Sequence, residues 1–211
     1  MKKSSLLLAT AVLASAGLKA EAYDFNDKFY GKANAMIGYS LDVITDDTDN
    51  NETNVFHNLQ FQGGYNAYWK VSDLIHPFAG LRVGFNAPLK ELNREDGSKL
   101  WVMSSLFYFE ALAGAKFNIC KKVAIQPYYF LGYSLHRQVE EDAGIKGSYN
   151  VSRLSTGVGV DGIYELNDKI GLIGGVEYKA ITCGSYKNNG TNRSLDLTTH
   201  QIGFHFGVQF L

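Results

Sequence analysis

Nowhere in this 211-residue sequence is there an uninterrupted apolar run of the ~20 residues that a membrane-spanning helix requires. Any passage through a bilayer must therefore be made by strands, whose backbone groups satisfy one another. Cysteine is equally scarce: Cys120 and Cys183 are the two present, too few for a disulfide-stapled scaffold. A surplus of positive charge is missing as well. With 20 Lys and Arg against 21 Asp and Glu the formal net charge is −1, which leaves no basic footprint for nucleic acid, so no nucleic-acid partner is expected.

What is present begins with MKKSSLLLATAVLASAGLKAEA. Two lysines, an apolar stretch from Leu6 to Leu18 and the small-x-small triplet Ala20-Glu21-Ala22 predict a secretory signal peptide over residues 1–22, cleaved before Tyr23. The mature part, residues 23–211, has the length of one domain. Cleavage removes three lysines and one glutamate, so the remaining chain is more acidic.

The mature sequence is dominated by a two-residue period. From Phe29 to Val43 the odd positions are Phe, Gly, Ala, Ala, Ile, Tyr, Leu, Val, and the even ones include Lys32, Asn34, Ser40 and Asp42. Such alternation is that of a strand with one apolar and one polar face. It returns in Val55–Lys70, Pro77–Ala87, Trp101–Phe117, Val123–His136, Val151–Glu165, Ile170–Cys183 and from Leu195 to the end. Long and short connections alternate between these eight segments, the rhythm of an up-and-down barrel with short turns at one end and longer loops at the other. The fold predicted is all-β: a closed, antiparallel, eight-stranded transmembrane barrel.

A soluble barrel of the same strand number keeps its apolar face inward around a ligand, so the direction of the faces has to be settled separately. Glycines concentrate on the polar face, Gly38, Gly64, Gly80, Gly84, Gly114, Gly132, Gly157 and Gly159 among them, and are fewer on the apolar one (Gly31, Gly63, Gly162, Gly174, Gly184). An eight-stranded barrel has barely enough interior for its own side chains, so the smallest residue belongs on the inside. The polar face is thus expected to line the lumen and the apolar face to meet lipid. Trp69, Phe117, Tyr164 and Phe210 toward the short-turn ends, and Tyr39, Phe61, Phe85, Trp101 and Tyr133 toward the long-loop ends, fit two aromatic girdles.

With these features the chain resembles the eight-stranded outer-membrane barrels of Gram-negative bacteria, such as the transmembrane domain of outer membrane protein A and the opacity-like, porin-family surface proteins. The resemblance covers the whole mature part. Its most specific stretch is the last strand, where Gln201-Ile202-Gly203-Phe204-His205-Phe206-Gly207-Val208 fits the polar-x-Gly-x-x-apolar-x-apolar pattern of that family. The resemblance implies that Gln201, Gly203, Phe206, Val208 and Phe210 form a signal read by the barrel assembly machinery. It also implies outer-membrane lipid as surroundings, a monomer, and ligands on host or environmental surfaces met through the external loops. One departure is that Leu211 follows Phe210, whereas family members usually end on an aromatic residue.

Arg82, Glu110 and Glu177 are expected near mid-height on the polar face, with Lys179 close by. Arg82 and Glu110 lie on sequential, hence adjacent, strands, and charges buried in so narrow a lumen need partners. Such a pair is either a static plug or a gate across a narrow pore, and the lack of room favours the plug.

The first external loop, Thr45–Asn54, is acidic through Asp46, Asp47, Asp49 and Glu52. Counted from Asp47, its sixth and twelfth positions are Glu52 and Asn58, not the glycine and carboxylate of a calcium loop, so no metal site is read there. The loop Tyr186–Ser194 carries Lys187 and Arg193, placing opposite charges on the same rim. His57, His76, His136 and His200 belong to no nucleophile–base spacing. The expectation is a non-enzymatic surface protein without cofactor, acting in interaction or adhesion, with a narrow small-solute pore as the alternative. Cys120 and Cys183 are placed toward opposite ends of the barrel and are not expected to be joined.

Overall fold

The computed structural model describes residues 28–46, 53–89, 92–93, 99–142, 145–188, 191–195 and 197–210. Residues 1–22, Asp47, Asp49, Glu52 and Leu211 lie outside the described residues. Asp46, Trp101, His136, Cys183, Lys187 and Arg193 are placed in strands, and their side chains lie outside the description.

The strands are β1 (Phe29–Asp46), β2 (Thr53–Trp69), β3 (Ile75–Pro88), a two-residue β4 (Leu92–Asn93), β5 (Lys99–Cys120), β6 (Val123–Asp142), β7 (Ile145–Glu165), β8 (Ile170–Asn188), a short β9 (Thr191–Leu195) and β10 (Leu197–Phe210). Every pairing is antiparallel between neighbours in the order β1-β2-β3-β5-β6-β7-β8-β10. The ring closes where β1 pairs with β10, from Ala33 opposite Phe210 to Asp46 opposite Leu197. Eight staves therefore form a barrel without an edge. β4 and β9 only extend the outer ends of β5 and β8.

The tight turns are built from local polar groups. In the turn between β7 and β8, Asn167 Oδ1 accepts the backbone N–H groups of Lys169 and Ile170, each at 2.9 Å, an Asx turn that reverses the chain. Between β2 and β3, Ser72 Oγ accepts the Ile75 N–H at 3.1 Å. Between β5 and β6 only Lys121 and Lys122 intervene, with Cys120 opposite Val123. Cys120 is a free, exposed thiol at this end.

At the other end the strands run further than the apolar alternation. The connection expected over residues 137–150 is a hairpin whose arms pair up to Asp142 opposite Ile145. The one expected over Tyr186–Ser194 pairs Tyr186 with Arg193 and Lys187 with Asn192. Backbone pairing needs no apolar face once a strand has left the lipid, so these polar arms carry no periodic signal. β7 and β8 also shift register at Arg153 and Leu154, because Thr182 and Gly184 take the facing positions and Cys183 is bulged out.

Candidate functional site: a closed lumen

Along the described parts of the staves alternate residues point inward and are shielded, and most of the intervening ones are exposed or half-exposed on the outer surface. On β10, Gln201, Gly203, His205 and Gln209 face in, and Ile202, Phe204 and Phe206 face out. Phe206 is 69% exposed. Trp69, Tyr164, Tyr39 and Tyr133 are likewise exposed on the outer surface, and Phe61 lies opposite Phe85 across β2 and β3.

The four charged residues singled out in the sequence meet inside the barrel. Arg82 on β3 and Glu110 on β5 are cross-strand neighbours. The Arg82 guanidinium donates through Nε to Glu110 Oε2 at 2.6 Å, and a second nitrogen lies 2.8 Å from Glu177 Oε2 on β8. Lys179, two residues on, places Nζ 2.6 Å from Glu110 Oε1 and 3.9 Å from Glu177 Oε1. The two cations and two carboxylates balance, and none has a side chain more than 4% exposed. Arg82 also donates to Gln62 Oε1 at 3.2 Å. Toward the loop end the network continues as a chain of amides. Gln62 donates to Gln60 at 3.1 Å, Gln60 to Gln201 at 3.3 Å, and Gln201 to Asp42 at 2.6 Å.

On the short-turn side the lumen holds a layer of aromatic and aliphatic side chains that the sequence reading missed, with buried amides such as Gln126 and Gln209 bonded to the Tyr68 hydroxyl. Tyr68, Phe78, Leu112, Tyr128 and Phe130 are buried together, and Tyr30 stacks on Tyr68 with centroids 4.8 Å apart. The layer touches the ions: the Arg82 guanidinium carbon lies 5.1 Å from the Phe130 centroid, and Lys179 Nζ lies 4.3 Å from that of Tyr108. Cations over ring faces gain electrostatically, most in a desolvated setting. Glycines make the space. A Cβ on Gly84 would sit 2.1 Å from Tyr108, one on Gly159 2.4 Å from Tyr128, and one on Gly157 2.3 Å from Phe130. Lumen glycines opposite aromatics are the signal that could have revealed this layer.

The four histidines whose side chains are described each have a defined partner. His205 Nε2 lies 2.8 Å from Asp161 inside the barrel, and His76 Nδ1 meets the Tyr30 hydroxyl at the inner mouth. His57 and His200 face outward and bond Tyr39 and Tyr178. Among the described residues no group of three or more His, Cys, Asp or Glu is arranged to hold a metal ion. In the β2–β3 turn Lys70 lies 2.8 Å from Asp73, and this hydrogen bond and charge hold the exposed carboxyl below the usual range.

A closed ring of eight antiparallel staves, apolar outside and polar and ionic within, defines an integral up-and-down barrel of the transmembrane type. The chain belongs to the outer membrane protein beta-barrel domain family, which residues 7–210 match. Among solved structures it is similar to Neisserial surface protein A, at 11% identity and a TM-score of 0.44 over 84% of this chain and 96% of that one. It is also similar to the attachment invasion locus protein of Yersinia pestis, at 14% identity and a TM-score of 0.40 over 85% and 99%. A third is the outer membrane protease OmpT of Escherichia coli, at 6% identity and a TM-score of 0.41 over 92% and 99%. No curated protein sequence matches the chain.

Proposed function

We propose that the chain is a monomeric, integral surface protein of the Gram-negative outer membrane, acting through its external loops in interaction or adhesion and otherwise structural. The closed lumen carries this reading. With a neutral ion network at mid-height and a packed aromatic layer beside it, the loops and rims are the parts left to meet a partner. The loop expected over residues 45–54 is shorter, since Thr45 pairs with Thr53 and β1 runs to Asp46. The stretch from Asp46 to Glu52 is acidic through Asp46, Asp47, Asp49 and Glu52, and Lys187 and Arg193 are basic. Opposite charges on one rim suit recognition of a host or environmental surface ligand by charge complementarity.

In this reading Arg82, Glu110, Glu177 and Lys179 are a static plug. A small solute would have to pass the ion network, to which the amide chain from Asp42 to Gln62 leads, and then the packed rings of Tyr68, Phe78, Tyr128 and Phe130. The non-enzymatic reading is supported by the partners of the described histidine side chains, which are Tyr30 and Asn118 at His76, Tyr39 at His57, Tyr178 at His200 and Asp161 at His205.

The test combines three measurements. The protein should fractionate with outer membranes and migrate faster unheated than boiled. Purified protein in planar bilayers should show negligible conductance, and deletion of the acidic loop should reduce binding to the target surface. A carbonate-extractable, detergent-free monomer would overturn the membrane assignment. Steady conductance together with loop deletions that leave binding unchanged would overturn the loop function in favour of the pore.

A further inference from the structure

The inner mouth holds a second ionic cluster, apart from the central network. Lys32 on β1 and Lys116 on β5 are only 9% and 3% exposed. Both reach across the mouth to the same carboxylate oxygen of Glu165, the last residue of β7, at 3.1 and 2.7 Å. One negative charge is thus shared by two buried ammonium groups, and one positive charge is left over. Lys121, in the β5–β6 turn, adds another. Asp73, the other acid on this wall, is already engaged by Lys70.

These groups line a cavity of about 460 Å³ together with Tyr30 and His76. The wall is braced: Tyr30 and His76 are hydrogen-bonded, and Asn118 donates to the Asp73 carbonyl at 2.7 Å. The volume falls within the range of small-molecule sites. Charge buried without a full complement of partners is costly, so an anion entering this cavity offsets the surplus positive charge of Lys32 and Lys116, which Glu165 already holds in place.

We propose that the inner-mouth cavity binds a phosphate monoester. Two uncompensated positive charges match a dianion, and ammonium groups bind phosphate as point charges without the planar geometry an arginine demands. The cavity is larger than a phosphate alone, so an organic remainder lies against Tyr30 and His76. Short turns face the periplasm in barrels of this type, which makes the ligand either a periplasmic solute or the headgroup of an inner-leaflet lipid.

The test uses the full barrel refolded in octyl glucoside, titrated calorimetrically with glycerol 3-phosphate and, separately, with phosphatidic acid carried in the micelles. Saturable one-to-one binding of the soluble ester identifies a solute site, and binding of the lipid alone identifies a headgroup site; either supports the proposal. Lys121→Gln, an exposed turn substitution, should weaken binding about tenfold, the loss of one charge-assisted contact. Glu165→Gln should tighten it, because the competing negative charge is removed while the acceptor oxygen stays. Absence of saturable binding of both probes, or affinities unchanged by Lys121→Gln and Glu165→Gln, would overturn it.

Discussion

Arg82→Leu and Glu110→Leu, made singly and together, probe the lumen most directly. Removing Glu110 leaves Arg82 and Lys179 facing Glu177 alone, a net positive charge in a site where the side chains are at most 4% exposed. Removing Arg82 leaves Glu110 on Lys179 at 2.6 Å and Glu177 on the same ammonium at 3.9 Å, a net negative charge. Each single change should cost about 3–5 kcal/mol, the loss expected when one partner of a buried pair is deleted. The double change restores neutrality through Lys179 and Glu177, so it should cost less than the sum by about 2–3 kcal/mol. Arg82→Leu with Glu177→Leu should be milder still, because it preserves the 2.6 Å contact between Lys179 and Glu110. Urea unfolding in lipid vesicles measures these energies, with conductance read on the same variants. Strict additivity would refute the coupled network. A large rise in conductance would refute the plug, since the aromatic layer formed by Tyr68, Phe78 and Phe130 is untouched by these substitutions.

Two further outcomes follow from the packing and from the last strand. Gly84→Val and Gly159→Val should each destabilise the barrel by about 1–3 kcal/mol through overpacking against Tyr108 and Tyr128, whereas Gly162→Val, whose Cβ would meet nothing nearer than 3.7 Å, should be nearly neutral; equal effects in urea unfolding would contradict the layer. Phe206→Ser with Phe210→Ser should lower the yield of assembled barrel in cells more than it slows refolding into vesicles, if Gln201, Gly203, Phe206, Val208 and Phe210 serve the assembly machinery; equal losses in both assays would reduce that comb to lipid contact.

How much of this was legible in the sequence depends on what a residue's environment is made of. The period of two in Phe29–Val43 or Ile202–Phe210 is imposed by lipid on one side and a lumen on the other, so it exposed the staves and their faces residue by residue. Arg82 and Glu110 were legible as neighbours because sequential strands pair. Lys179 on Glu110 was not, since β8 faces β5 across the barrel and only closure brings them within 2.6 Å. The same holds for Lys32, Lys116 and Glu165, which come from three separate staves and meet at one oxygen atom.

The sequence by itself determined the eight staves of the ring, their direction and which face is greasy, because these follow from chemistry repeated every second residue; the short β4 and β9 carry no such repeat. Tertiary structure alone decided what fills the interior. Tyr68, Tyr108, Tyr128 and Phe130 stand on a face that reads as polar and glycine-rich, and they fit inside because register sets Gly84 against Tyr108 and Gly159 against Tyr128. The outer arms from Arg137 to Asp142 and from Tyr186 to Asn188 are strands for a similar reason. Their backbone groups find partners in a ladder already begun within the membrane, and no periodic signal in their side chains is needed to hold them there.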